Sequence, residues 1–223
     1  MAFTITHIII ADMVSEYAPK IVDYPTYILG TIAPDAVHVN QNYSAKLKER
    51  SHLFTPNLVW GKIDTWEKAE EWMQSIRDYY NVNRGKYNHD FLWGYIVHLL
   101  VDVYNSMFFY TPFIQSIKEG YEETIKKYKD ESFGMSYYLF SEYSASKNLR
   151  EILQSGKAIT MEGVIVQEDI VKRIEYLFEE EFKRRDVCVC EYSICTIKGT
   201  EKFIHGATKF VKDKISSLLF EAK

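Results

Sequence analysis

One segment constrains this chain more than any other. Residues 91–102 read FLWGYIVHLLVD, apolar on almost every side until His98 and Asp102 interrupt it. At about 100° per residue, Gly94, His98, Asp102 and Asn105 cluster on one helical face, while His89 points roughly opposite. A charged carboxylate is almost never buried without a partner, so a fold that buries this helix must bring Asp102 a compensating group. An imidazole and a carboxylate at i and i+4 stack along one face and can reach a single metal ion. The ion's charge makes a buried Asp tolerable. The simpler alternative is a helix-face ion pair or a buried hydrogen bond between the two. Gly94, one turn before His98, leaves room for a ligand or another backbone to come close.

The rest of the composition narrows the fold class. The chain has 223 residues, enough for one sizeable core, and 47% are hydrophobic, which describes a globular chain. Ten Gly and five Pro are few, favouring long helices over a turn-rich β architecture. The formal charge of −4, with acids and bases interspersed, gives no footprint for duplex nucleic acid or an anionic membrane surface. The N-terminal MAFTITHIIIADM lacks a basic n-region and a small-residue cleavage pattern. Phe91 to Val101, the longest apolar stretch, falls short of the roughly 20 residues that a membrane span needs. Three cysteines, Cys188, Cys190 and Cys195, crowd into CVCEYSIC. An odd number so placed reads as buried reduced thiols in a cytoplasmic protein, not as a disulfide framework. Their other reading, a Cys3His zinc site with His205, lacks a standard spacing.

Helical spacing recurs along the chain. Thr6 is placed to cap a short first helix beginning HIIIADMV. DTWEKAEEWMQSIRDYY opens with a capping-box pattern at Asp64 and Glu67. TPFIQSIKEGYEETIKKY offers Thr111 as a cap and Pro112 in the first turn, with Ile114, Ile117, Tyr121, Ile125 and Tyr128 on one side. Further helices are expected over ESFGMSYYLFSEYSASKNLREILQSG, ending near Gly156, and over residues 168–184 and 200–220. DVCVCEYSICTI alternates and reads as a strand or short hairpin arm. The stretch 30–57 has no helical period and carries Asp35, His38 and His52. The expectation is one mostly helical domain over residues 1–223: a metal-site half, 1–110, and a divergent helical half, 111–223.

Five of the six histidines lie in the first 98 residues. The order His7, then Ala33-Pro34-Asp35, then His52, then Gly94-Tyr95-x-x-His98-x-x-x-Asp102 resembles the zinc-dependent phospholipase C family, distantly related to the P1-type nucleases. The resemblance covers roughly residues 1–110. It implies an all-α multi-helix bundle in which Asp35, His52, His98 and Asp102 hold one zinc ion. Asp102 would also bridge to a second zinc bound by His7. It further implies water-driven hydrolysis of a phosphoester, with a small molecule or lipid head group as substrate. Two departures stand out. Family members use a processed N-terminal amine as a ligand, whereas this chain begins Met1-Ala2. They also place third-metal histidines after the helical Asp, whereas here none occurs between His98 and His205. Help for a second metal at His7 would come from His38, Asn105, Asp12 or solvent.

Two other functions fit the same residues. One is a non-catalytic member of that family, with a structural zinc and a lipid- or partner-binding role for its aromatic helices. The other is an HD-type phosphohydrolase built on the adjacent pair His89-Asp90 with His52. His38, His89 and His205 otherwise read as structural or solvated. The run EEEFKRR, 179–185, reads as a charged helix end that needs no partner.

Overall fold

A computed structural model describes residues 2–17 and 20–220. The elements, in order, are α1 (Thr4–Val14), α2 (Tyr24–Gly30), a 3-10 turn (Pro34–Val39), α3 (Ala45–Ser51), α4 (Trp66–Asn83) and α5 (His89–Asn105). A π turn (Ser106–Tyr110) leads into α6 (Thr111–Ser116), followed by α7 (Tyr121–Lys147), α8 (Leu149–Ser155) and α9 (Gln167–Tyr176). A second π turn (Leu177–Glu181) and a 3-10 turn (Val189–Glu191) precede α10 (Ile197–Phe220). The described residues are all-α, with no strand.

α5 is the axis. Asn88 caps it by accepting the Phe91 N–H at 3.0 Å, and every residue from Asp90 to Val103 is buried. α1, α2, α4 and α10 pack around it. α2 crosses it at backbone contact: a Cβ on Gly94 would stand 2.0 Å from the Tyr27 carbonyl oxygen, and one on Gly30 would stand 2.2 Å from that of Phe91. The room that Gly94 leaves is therefore taken by another backbone. Asp90 fastens the same crossing, accepting the N–H groups of Val22 (3.1 Å) and Asp23 (2.6 Å) just before α2.

Elements of the second half close over the first. α10 buries Phe203, Ala207, Val211 and Ile215 and packs against α1 and α5. α7 also meets α1, and α9 meets the 3-10 turn that carries Asp35.

Several boundaries differ from the sequence reading. α1 starts before Thr6, whose hydroxyl reaches back to the Phe3 N–H at 2.9 Å from the third helical position. Thr65, not Asp64, caps α4; Asp64 pairs with Lys68 instead. Thr111 is no cap, because the helical path runs on from α5 through the π turn into α6. The break comes at Gly120, whose φ of 62° is open to glycine. α7 then continues without interruption to Asn148, at φ 46°, a left-handed position that Asn tolerates better than most residues.

The strand or hairpin expected over DVCVCEYSICTI is not formed. The carboxylate of Glu131, on α7, takes the N–H groups of Ser193 (3.1 Å), Ile194 (2.7 Å) and Cys195 (2.8 Å). Those donors are thereby withdrawn from any ladder, and a lone alternating segment has no strand to pair with. Only Cys195 of the three thiols is buried; Cys188 and Cys190 are exposed, contrary to expectation. Among the described residues no helix is long and apolar enough to cross a membrane.

Candidate metal centre

Four separate elements deliver five side chains to one point. α1 supplies His7, the 3-10 turn supplies Asp35, the residue ending α3 supplies His52, and α5 supplies His98 and Asp102. Asp102 Oδ2 lies 3.3 Å from His52 Nε2 and 3.5 Å from His98 Nε2, while its Oδ1 lies 3.4 Å from His7 Nε2. Asp35 Oδ1 lies 3.4 Å from His52 Nε2. All five residues that the sequence singled out therefore converge. The three imidazoles are buried, at 1%, 0% and 1% exposure for His7, His52 and His98, too little for water to solvate a charge there.

These separations carry chemical information. A good N–H···O hydrogen bond spans about 2.7–3.2 Å. Four N/O ligands placed tetrahedrally about 2.0–2.1 Å from a common cation lie roughly 3.3–3.4 Å from one another. The spacings of 3.3 to 3.5 Å are long for hydrogen bonds and match edges of such a tetrahedron. His52 Nε2 and His98 Nε2 are accordingly buried without a hydrogen-bond partner.

The outer contacts fix which nitrogen faces inward. His98 Nδ1–H donates to the Thr31 carbonyl at 2.7 Å, a bond made possible by the Gly30–Gly94 crossing. His52 Nδ1–H donates to the Lys48 carbonyl at 2.9 Å, with Ser51 Oγ at the same distance. A carbonyl can only accept, so both rings carry their proton on Nδ1 and turn a lone pair inward from Nε2. α3 is itself held: Tyr95 Oη donates to the Ser51 carbonyl (2.6 Å) and Trp72 Nε1 to that of His52 (2.7 Å). The rings of His7 and His98 stack with centroids 3.8 Å apart and planes 6° apart.

Two triads could hold an ion, His7–His98–Asp102 and Asp35–His52–His98, and both draw on His98. With Nδ1 committed to Thr31, His98 has one donor atom left and serves one ion. A four-ligand set of Asp35, His52, His98 and Asp102 Oδ2 uses it fully. A second ion would rest on His7 and Asp102 Oδ1.

The electrostatics favour the deprotonated ligand forms. Burial, reinforced by His98, lowers the pKa of His7 to about 4, so its ring is neutral at pH 7. Burial works against ionised Asp102, but His52, His7 and His98 outweigh it and hold the carboxyl well below the ordinary range. Asp35 is held low in the same way, against burial, first by His38 and then by His52. Burial disfavours charge on His52 too, yet the carboxylates of Asp102 and Asp35 raise its pKa above the ordinary value. Without a cation the cluster must therefore borrow a proton between its two acids.

A cleft of about 670 Å³ opens onto Asp35 and Asp102. Residues singled out as accessory fall on both sides of the account. His38 lines this cleft, 3.4 Å from Asp35, with its pKa lowered by burial to about 4. Asn105 also lines it and accepts the Ala2 N–H at 3.2 Å. Asp12 is engaged elsewhere, by Tyr24 (2.6 Å) and Lys147 (3.3 Å). His89 pairs with Asp90 at 3.0 Å and belongs to neither triad. The acidic run does find a partner: Glu181 meets Arg173 at 2.5 Å on the cleft wall.

Lys48, Trp60, Tyr128 and Arg173 also line the cleft and were not anticipated from the sequence as site residues. For Arg173 a signal existed. It falls on the apolar stripe of Ile170, Ile174 and Leu177, where a guanidinium needs a reason to be. Compared with known proteins, this chain matches no family model, no curated protein and no solved structure.

Proposed function

We propose that this chain is a metal-dependent phosphoester hydrolase of the kind its first half resembles, an all-α zinc-dependent phospholipase C-like enzyme. What supports the reading is one observation: two buried histidine nitrogens without hydrogen bonds, spaced from two carboxylates at ligand–ligand distances. The donor set of imidazoles and carboxylates suits zinc, with an N/O shell and no thiolate.

Asp35, His52, His98 and Asp102 would hold the ion, and His7 with the other oxygen of Asp102 would hold a second. Zinc, when bound, supplies Lewis acidity that brings the pKa of water to about 7 and offsets charge on phosphoryl oxygens. Lys48 and Thr31 keep His52 and His98 in the tautomer that offers a lone pair. Asp102 spans the cluster with both oxygens, so its loss removes more than any other single ligand. The cleft presents substrate to this edge and carries aromatic walls, Trp60 and Tyr128, for the organic part of an ester. The net reaction adds water across the P–O ester bond and releases the alcohol with a proton.

The test is elemental analysis of protein purified without added metal, paired with hydrolysis of a phosphoester panel. Bound zinc and turnover should both vanish in Asp102→Ala and survive in His89→Ala. Zinc retained in Asp102→Ala would overturn the assignment, and zinc lost in His89→Ala would favour the HD-type reading. Zinc without turnover on any ester would favour the structural-metal reading.

A further inference from the structure

The cleft beside the cluster is cationic in a specific way. Three acids, Asp35, Asp102 and Glu181, and three bases, Lys48, Lys129 and Arg173, line it. Arg173, 3% exposed, is fixed by Thr4 Oγ1 at 2.9 Å and by Glu181, so that pair is internally neutral. A divalent ion among the ligands offsets Asp35 and Asp102. Two lysines remain, and among the described residues neither Lys48 nor Lys129 forms a salt bridge with a cleft carboxylate. Lys48 instead holds its ammonium over the Trp60 ring, 4.6 Å from the centroid. Its backbone carbonyl orients His52, which places its side chain within one residue's reach of the metal ligands. The Nε of Arg173 is buried beside them with no acceptor.

Two positive charges left over beside a metal cluster match a dianion. A phosphomonoester carries nearly two negative charges at pH 7, because its second pKa is about 6, whereas a phosphodiester carries one. We infer that the cleft is selective for phosphomonoesters, with Lys48 and Lys129 meeting the terminal phosphate charge that a diester lacks and Arg173 bracing the wall behind them. The inference rests on the metal reading given above and narrows its substrate class. Lysines act here as point charges, suited to a terminal phosphate that can rotate.

The measurement is isothermal titration of the purified protein with methyl phosphate and with dimethyl phosphate, metal content being determined on the same samples. The expected result is at least tenfold tighter binding of methyl phosphate. Lys48→Ala keeps the carbonyl that orients His52, so it should retain metal and weaken methyl phosphate about tenfold while leaving dimethyl phosphate unchanged. Lys48→Arg should restore the preference, and Lys129→Ala, on a different helix, should weaken it independently. Equal affinity for the two esters in metal-loaded protein, or no effect of either alanine variant, would overturn the subsite and leave the metal reading standing. Metal-free protein that still shows the lysine-dependent preference would do the reverse. Protein with neither metal nor preference would overturn both.

Discussion

Asp102 is the residue on which the cluster turns, since both its oxygens face histidine nitrogens from three different elements. Outer partners of metal ligands are worth tenfold to a hundredfold in affinity, so removing a ligand oxygen shared by the whole set should cost more. Asp102→Asn, nearly isosteric, should lower zinc affinity by more than about a hundredfold in competition with a chelator. Ser51→Ala, beside His52 Nδ1, should stay within the tenfold to hundredfold range. A second residue-scale expectation concerns Glu131. Its carboxyl, despite burial that opposes ionisation, is held below the ordinary value by the N–H groups of Cys195, Ile194 and Ser193. A depressed folded-state pKa contributes stability that is present above the unfolded value and is lost as pH falls through the folded one. Glu131→Gln should therefore cost roughly 1–3 kcal/mol at pH 7, and the gap from wild type in urea denaturation should shrink below pH 4. A gap independent of pH would show that the carboxylate charge contributes nothing. At this scale the sequence was informative where chemistry lies within one helix. His98 and Asp102 declare themselves by their spacing, whereas His7, Asp35 and His52 were tied to them only through the resemblance.

Among the elements, the crossing of α2 over α5 sets the site, because it places the Thr31 carbonyl against His98. Gly94→Ala puts a methyl group 2.0 Å from the Tyr27 oxygen, a clash with backbone that no rotamer relieves. Overpacking of this kind costs about 1–3 kcal/mol or more, and moving α2 should also release His98 and reduce bound zinc. Wild-type stability with full metal content in this variant would show that the crossing is not what holds the ligand. Helix existence was legible throughout, because apolar residues recur at helical spacing over α4, α5, α9 and α10. Helix limits were less so. The break at Gly120 and the uninterrupted run of α7 depend on what the helix packs against, not on the local pattern. The missing hairpin has the same origin, since Glu131, more than 60 positions away, claims its backbone donors. Lys48 and Arg173 could not be placed at a cleft without knowing which elements frame it.

Taken whole, the molecule closes its second half over a charged cluster assembled by the first, so cation binding and folding are coupled. A ligand that binds only the folded state stabilises by about 2.7 kcal/mol at a hundredfold excess over its dissociation constant. For a chain of this size that corresponds to roughly 5–11 °C in Tm. Treatment with a chelator should lower Tm by that amount in wild type and leave Asp102→Asn unmoved; an equal shift in both would place the metal elsewhere. The most direct measurement is X-ray absorption at the zinc edge on protein as purified. It should show a shell of nitrogen and oxygen alone near 2.0–2.1 Å, with imidazole scattering beyond it. Sulfur at about 2.3 Å would instead put the ion on Cys188, Cys190 or Cys195 and contradict a centre built from His7, Asp35, His52, His98 and Asp102.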